Sequence, residues 1–215
     1  MDTASYIQLY LDEKRWILDH YPIEPVVRAA EMVFRCYENG RTLFLMGNGG
    51  NAGTIDHLFC DFKHHPFVSE DKRKPISRSV PRLNVVNLCA SASELTGLVN
   101  DFGAEWMFAA ALEPTVKEQD LVIGLSGSGN SENVLRAFEV ATKLGAKTIG
   151  ITKGDGGKMK ALAHHCITIP GTSRFPGQTG KNDNNFHFED EVLSIHSMIV
   201  GLLKEQIHQW LLRTA

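Results

Sequence analysis

Short apolar runs alternate along this chain with segments in which hydrophobic residues recur every three or four positions. The runs are typical of buried strands, and the segments between them are typical of amphipathic helices. Strands are predicted at residues 42–46, 83–88, 121–125, 148–152 and 166–170. Helices are predicted at residues 5–20, 25–39, 51–63, 92–99, 104–112, 131–144, 157–164 and 188–212.

Continuous apolar strands separated by helices predict an α/β fold in which a parallel sheet is covered on both faces. We expect a three-layer, doubly wound, five-stranded sheet with an N-terminal helical pair and a long C-terminal helix. One domain is predicted over residues 1–215, with the helical pair at 1–40 and the core and last helix at 41–215. Residues 64–82 and 171–187 lack a regular pattern, and loops of such length are commonly functional.

The composition of the chain excludes several classes of protein. A net charge of -3 argues against a dedicated nucleic-acid binder, which usually carries a basic face. No apolar run is long enough to span a membrane, and the charged N-terminus does not resemble a signal peptide. The widely spaced cysteines are typical of free thiols in a reducing compartment, so a cytoplasmic location is expected. They are Cys36, Cys60, Cys89 and Cys166.

Two turns rich in glycine, serine and asparagine each follow a predicted strand and precede a predicted helix. The first turn is residues 47–51, and the second turn is residues 126–131. This arrangement offers free N–H groups and the positive end of a helix to an anion. Flexible linkers have a similar composition, but they seldom lie between a buried strand and an amphipathic helix. We therefore predict a phosphate site at the carboxyl edge of the sheet.

A nucleotide site is the competing interpretation of the first turn. Gly47, Gly49 and Ala52 formally match the dinucleotide fingerprint. That fingerprint requires an acidic residue at the end of the next strand, whereas this strand ends near Asn87 without one. The second turn also lacks the lysine of a P-loop, so the prediction remains a phosphate other than that of a nucleotide.

Three titratable residues are candidates for chemistry. His57 and Asp61 lie one helical turn apart on a face separate from the apolar stripe, and this spacing suits proton transfer or metal binding. An ordinary surface pair has the same spacing. His196 lies among apolar residues of the last helix, which fits either a core histidine or an imidazole tuned by burial. The expected apolar stripe of the first of these helices is Ala52, Ile55, Phe59 and Phe62.

Three segments resemble the sugar isomerase (SIS) domain family: MGNGGNAGTIDHLFCDF, VNDFGAEWMF and GLSGSGNSENVLRAFEVATKLGAKTIGIT. Within that family the similarity is greatest to the phosphoheptose isomerase branch, which also contains replication-initiator-associating regulators. The resemblance covers residues 40–205. It implies an aldose–ketose isomerase that interconverts sedoheptulose 7-phosphate and D-glycero-D-manno-heptose 7-phosphate through an enediol(ate).

The resemblance also implies roles for individual residues. Proton transfer is assigned to Asp61 and His196. His57, Asp61 and His196 are expected to bind zinc or another divalent metal, with Glu189 or His187 as a further ligand. The phosphate is assigned to Ser126, Gly127, Ser128 and Ser131. The rest of the substrate is expected to contact Asn48, Gly49, Gly50, Asn51, Asp101 and Glu189.

Three features depart from the family pattern, and one of them is the length of the 171–187 loop, which is greater than expected. Asp61 replaces a glutamate and is one methylene shorter, which displaces the carboxylate by about 1 Å and can cost on the order of a hundredfold in rate. Phe188 stands where the family has a glutamine, eight residues before the last-helix histidine. A different sugar phosphate as substrate, or a phosphosugar-binding regulator without catalysis, are the alternatives that these departures leave open.

The terminal helices predict an assembly. The N-terminal pair and the last helix, on which Trp210 and Leu211 are expected to be exposed, offer more apolar surface than one small sheet can cover. The resemblance implies a homotetramer, with a dimer as the second expectation.

Overall fold

The computed structural model describes residues 1–69, 73–74, 80–180 and 183–214, and it has the predicted α/β architecture. The described elements are α1 (Thr3–Asp19), α2 (Ile23–Glu38), β1 (Thr42–Gly47), α3 (Gly50–His64), β2 (Asn84–Asn87), α4 (Ala92–Phe102), α5 (Met107–Leu112), β3 (Leu121–Leu125), α6 (Glu132–Lys143), β4 (Lys147–Lys153), α7 (Gly157–Leu162), β5 (His165–Ile169) and α8 (Asn185–Thr214).

The five strands form one parallel sheet in the order β2-β1-β3-β4-β5. Strand β1 therefore lies beside β3, although the chain passes through β2 between them. The connections run to one side after β1 and to the other side after β3, which makes the carboxyl ends of these two strands a topological switch point. Gly47 is paired with Leu125, so the first and second turns begin side by side.

Helices cover both faces of the sheet and enclose two hydrophobic cores. One core joins the sheet to α2, α3 and α8, and Ile17 of α1 also belongs to it. The other core joins the opposite face to α5, α6 and α7, with Phe108, Phe138 and Met159 fully buried. The predicted three-layer, doubly wound arrangement is confirmed.

Side-chain caps explain where several helices begin. The Asp2 carboxylate accepts the Ser5 N–H at 2.8 Å and starts α1, and the Ser91 hydroxyl accepts the Glu94 N–H at 3.2 Å at the start of α4. Helix α8 begins at Asn185, earlier than predicted, because the Gln178 side-chain oxygen accepts a backbone N–H of its first turn. That cap comes from an irregular segment and has no periodic signature.

Two irregular stretches were predicted, and the structure describes most of the second one. The Glu13 carboxylate of α1 accepts hydrogen bonds from the Ser173 hydroxyl and the Arg174 N–H, each at 2.7 Å. The Asp183 carboxylate accepts the Ser173 N–H at 2.7 Å. The Glu13 bonds hold residues 173–174 against α1, and the Asp183 bond ties the end of the stretch to them. In the 64–82 stretch, residues 70–72 and 75–79 lie outside the described residues.

The exposed apolar surface differs from the prediction. Trp210 and Leu211 pack partly buried against the core, so the expectation that they are the exposed apolar residues of α8 was wrong. Helix α4 buries none of its residues. The large exposed hydrophobic side chains of α2, α4 and α8 include Ile23, Val27, Val99, Phe102, Leu193, Met198 and Leu202. Among the described residues, no helix combines the length and apolar character needed to cross a membrane.

Candidate active site

The first turn brings the backbone of β1 very close to α3. A Cβ atom on Gly47 would lie 2.9 Å from the Cβ atom of Asn51, so only glycine fits there. Gly49 has a φ of +57° and begins the helix without a side-chain cap. The Asn51 side-chain oxygen is buried and accepts no hydrogen bond within the described ranges. This oxygen, the exposed Gly50 and the start of α3 form one wall of the site.

The second turn directs hydroxyl groups toward the start of α6. The Ser126 and Ser131 hydroxyls lie 2.8 Å apart, and Ser128 accepts the Asn130 N–H at 3.1 Å. Ser131 is at the N-cap position of α6, but its side chain does not cap the helix. Its hydroxyl and the first N–H groups of α6 therefore suit an anion such as phosphate. Gly129, with a φ of +63°, closes the turn against Gly156.

A pair of asparagines connects the two turns; Asn48 is a predicted substrate contact, whereas its partner Asn133 was not predicted. The side-chain amides of Asn48 and Asn133 exchange two hydrogen bonds, each 2.9 Å long. Asn133 lies in the first turn of α6, so this pair joins the two helix starts directly. In the sequence, the only sign of this contact is that the Asn48 amide follows a strand at an expected anion site. Its partner lies 85 residues away and could not be predicted from spacing.

Three of the predicted residues converge on one point between α3 and α8. Oδ2 of Asp61 lies 2.9 Å from Nε2 of His196 and 3.2 Å from Nε2 of His57. The two imidazole rings are 5.6 Å apart between centroids. The His57 side chain is 58% exposed and that of His196 only 1%, so the group has a solvent side and a protein side. On α3 the core positions are Ile55, Leu58 and Phe62; the stripe therefore includes Leu58, and Phe59 is only partly buried.

Burial and hydrogen bonding set the charges of this group. Burial acts to raise the pKa of the Asp61 carboxyl, but the hydrogen bond from His196 and the nearby imidazoles outweigh it and lower that pKa. Burial, with the ring of Phe62 packed edge-on at 5.1 Å, lowers the pKa of His196. Asp61 is thus ionised and His196 neutral near pH 7. Because a carboxylate only accepts, the proton of the neutral imidazole resides on Nε2.

The donor set fits a divalent metal ion. One ligand atom from each of His57, Asp61 and His196 lies within 4.8 Å of the others. Donors about 2 Å from a tetrahedral ion lie roughly 3 to 4 Å apart, and three such protein ligands leave an open position, as in catalytic zinc sites. Neither Glu189 nor His187, the predicted further ligands, belongs to this group. The structure thus brings together three of the four predicted metal ligands.

Glu189 instead faces the start of α3. Its Oε1 atom would lie 3.5 Å from a Cβ on Gly50, and it accepts a hydrogen bond of 2.8 Å from the Asn185 side chain. A carboxylate at this place is stabilised by the positive end of the helix. The Asn185 oxygen would lie 2.8 Å from a Cβ on Gly127, so the first turn of α8 contacts both turns. Sequence reasoning did not identify Asn185.

The remaining predicted residues have other surroundings. His187 is fully buried, stacks on the ring of Tyr10 at 4.0 Å and lies 3.2 Å from Glu13, which makes it part of the α1–α8 contact. Phe188, at the position of the family glutamine, is fully buried in the core. Asp101 is exposed at the end of α4 and accepts a hydrogen bond from its neighbour Asn100.

Comparisons with known proteins identify the family of this chain. The SIS domain family model matches residues 10–153. The phosphoheptose isomerase of Aneurinibacillus thermoaerophilus is 32% identical over 77% of this chain and 79% of its own length. That of a Nitratiruptor species is 37% identical over 67% of this chain and 72% of its own length.

Solved structures show the same fold. A phosphoheptose isomerase from Francisella tularensis superposes with a TM-score of 0.75 at 23% identity, covering 95% of this chain and all of that one. The enzyme from Neisseria gonorrhoeae gives a TM-score of 0.69 at 22% identity, covering 96% of this chain and 94% of that one. With two phosphate-type turns, the His–Asp–His group and relatives of more than 30% identity, this chain belongs to the phosphoheptose isomerase family of SIS domain proteins.

Proposed function

We propose that the protein is an aldose–ketose isomerase that converts sedoheptulose 7-phosphate to D-glycero-D-manno-heptose 7-phosphate. The observation that carries the proposal is the contact of one Asp61 oxygen with two imidazoles, on the helix that begins at the first of two turns suited to anions. The curated relatives described above bear the name of this isomerase. None of them favours the regulatory alternatives.

Binding begins with the phosphate. The hydroxyls of Ser126, Ser128 and Ser131 and the N–H groups at the start of α6 hold its oxygens, far from the reacting carbons. The side-chain oxygen of Asn51 has no partner among the described residues, and it accepts a hydrogen bond from a hydroxyl of the sugar. Glu189 and Gly50 line the same wall of the site.

The chemical step moves one proton between neighbouring carbons. The Asp61 carboxylate removes a proton from C1 of the ketose, and the C1–H electron pair forms the C1–C2 double bond of the enediol(ate). His196 donates its Nε2 proton toward O2 and recovers one from O1 as the C1 carbonyl forms. Return of the abstracted proton to C2 completes the aldose, so no external oxidant or reductant takes part.

The same residues would hold a divalent cation, for which we propose zinc. His57, Asp61 and His196 would hold it, and Glu189 is the further ligand that the family resemblance implies. An ion on Nε2 of His196 would take the place of the proton that this nitrogen donates in the metal-free step. When bound, such an ion polarises the carbonyl and stabilises the negative charge of the enediolate. His57 lies on the solvent side of the group, and its proposed role is to bind the metal ion.

The reaction is tested with purified protein in D₂O containing sedoheptulose 7-phosphate, with and without added zinc. Proton NMR is expected to show the aldose anomeric signal, with deuterium at C2 of the product and C1 of the recovered ketose. Exchange reports the enediol(ate) directly. If folded protein gives neither product nor deuterium exchange, both with and without added zinc, the proposed reaction is refuted.

We further propose a homotetramer in the cytoplasm, with a dimer as the second expectation. A groove of about 450 Å³ between α2 and α8 is lined by Tyr21, Ile23, Val26, Val27, Ser197, Met198, Gly201 and Leu202. Packing by another subunit would cover this groove and the unburied face of α4. The four free cysteines support a reducing compartment.

A further inference from the structure

The side chain of Lys153 lies against the second turn, whose own hydroxyl, amide and N–H donors are uncharged. Strands β3 and β4 are paired with Leu125 opposite Ile151, and the hydroxyl of Thr152, the neighbour of Lys153, donates to the Gly127 carbonyl at 3.3 Å. The Cε atom of Lys153 would lie 3.4 Å from a Cβ on Gly127. The ammonium group is one bond further along. It is therefore within reach of an anion on that turn.

The charge of this lysine is only weakly compensated. Its ammonium donates a short hydrogen bond to the backbone carbonyl of Asp183. No ion pair joins Lys153 to a carboxylate of the described chain, and the Asp183 carboxylate accepts a hydrogen bond from the Ser173 N–H. Burial lowers the pKa of Lys153, and the charge of Asp183 opposes this effect. A half-buried cation with a neutral partner favours an incoming anion.

We propose that Lys153 is the cationic ligand of the substrate phosphate, and that its ammonium exchanges the Asp183 carbonyl for a phosphate oxygen when substrate binds. This inference rests on the proposed function, which puts the phosphate on the second turn. It assigns the preference for a dianionic group to one residue. Serine hydroxyls and N–H groups bind a carboxylate and a phosphate by the same neutral contacts, whereas the ammonium adds a preference for a dianion over a monoanion.

Lys153→Met removes the charge and keeps most of the side-chain volume. Lys147→Met is the matched control, because Lys147 begins the same strand at its opposite end. Inorganic phosphate, sedoheptulose 7-phosphate and unphosphorylated sedoheptulose are titrated by NMR. Lys153→Met is expected to weaken binding of both phosphates by about tenfold or more, as for loss of a hydrogen bond to a charged group. It should leave sedoheptulose binding unchanged, raise KM and alter kcat little.

Screening by salt separates a charge effect from a structural one. The difference in phosphate affinity between the original protein and Lys153→Met should shrink as ionic strength rises. Lys153→Arg should retain most of the phosphate affinity. Equal phosphate affinity in Lys153→Met, or parallel losses for sedoheptulose and phosphate, would mean that Lys153 only ties the Asp183 segment. Either result overturns the inference.

A measurement on the unchanged protein covers the case in which Lys153→Met does not fold. Saturating inorganic phosphate should protect Lys153, and not Lys147, from acetylation by an amine reagent, as read by mass spectrometry. Equal labelling with and without phosphate would refute the inference. Phosphate protection in a protein that fails to isomerise the heptose would reject the proposed reaction while retaining the role of Lys153.

Discussion

Replacement of Asp61 by asparagine is the most direct test of the proton-transfer group. The amide has the shape of the carboxylate but no charge, and it cannot take up a proton from carbon. Oδ2 accepts a hydrogen bond of 2.9 Å from His196 and lies 3.2 Å from Nε2 of His57, so the change also weakens the contact between α3 and α8. Asp61 is about one-third exposed, and solvent moderates that structural cost to about 1 kcal/mol.

The expected catalytic loss is much larger than the structural one. A general base contributes about 10²–10⁴-fold, which corresponds to roughly 3–5 kcal/mol of barrier. Asp61→Asn should therefore lower kcat by at least about a hundredfold. Binding of inorganic phosphate should stay within about threefold, because the second turn is untouched. Asp61→Glu restores the residue of the family, and its activity should survive or rise.

The assay is product formation followed by NMR, together with thermal unfolding of each variant. Asp56→Asn is the control: it removes another carboxylate of the same helix, one that binds Asn87 at 2.6 Å, and should leave kcat nearly unchanged. A folded Asp61→Asn protein with a rate loss below about tenfold would remove Asp61 from the mechanism. His196 would then be the base.

Three other outcomes are expected. Replacing both Ser126 and Ser128 with alanine should weaken phosphosugar binding by about 2–3 kcal/mol in calorimetry, and unchanged affinity would refute the phosphate site. Light scattering at micromolar concentration should give a tetramer, or a dimer as second expectation, and a monomer would contradict both. Burial acts to raise the pKa of Glu13, but its hydrogen bonds outweigh this and lower it, so its stabilisation is present above the ordinary glutamate pKa and is lost on acidification. Glu13→Gln should accordingly lower the urea midpoint at pH 7 and lower it less, or not at all, near pH 3.

Periodicity and turn composition were sufficient for the order of the elements and for the position of both turns. The five continuous apolar strands require cover on two faces, and that requirement leaves few arrangements for the helices between them. The approach of His196 to Asp61 is different. These residues are 135 positions apart, and only the family resemblance indicated that they meet.

Other parts of the site depend on contacts that no local pattern encodes. Asn133 and Asn185 act through side chains that reach across from α6 and α8, and polar residues in such places are common without a role. Lys153 had one usable signal, its position at the carboxyl end of a strand beside β3. The shift of α8 to Asn185 followed from Gln178, which lies in a segment without periodicity.

The amide pair between Asn48 and Asn133 fixes the distance between the two turns. It fixes the second turn relative to the first, and the first turn continues into the rigid helix that carries His57 and Asp61. The separation between phosphate and carbonyl is then a property of the protein, and a sugar chain must match it. Substrates are distinguished by length: a shorter sugar phosphate, though it binds at the same turn, would leave its carbonyl short of the carboxylate.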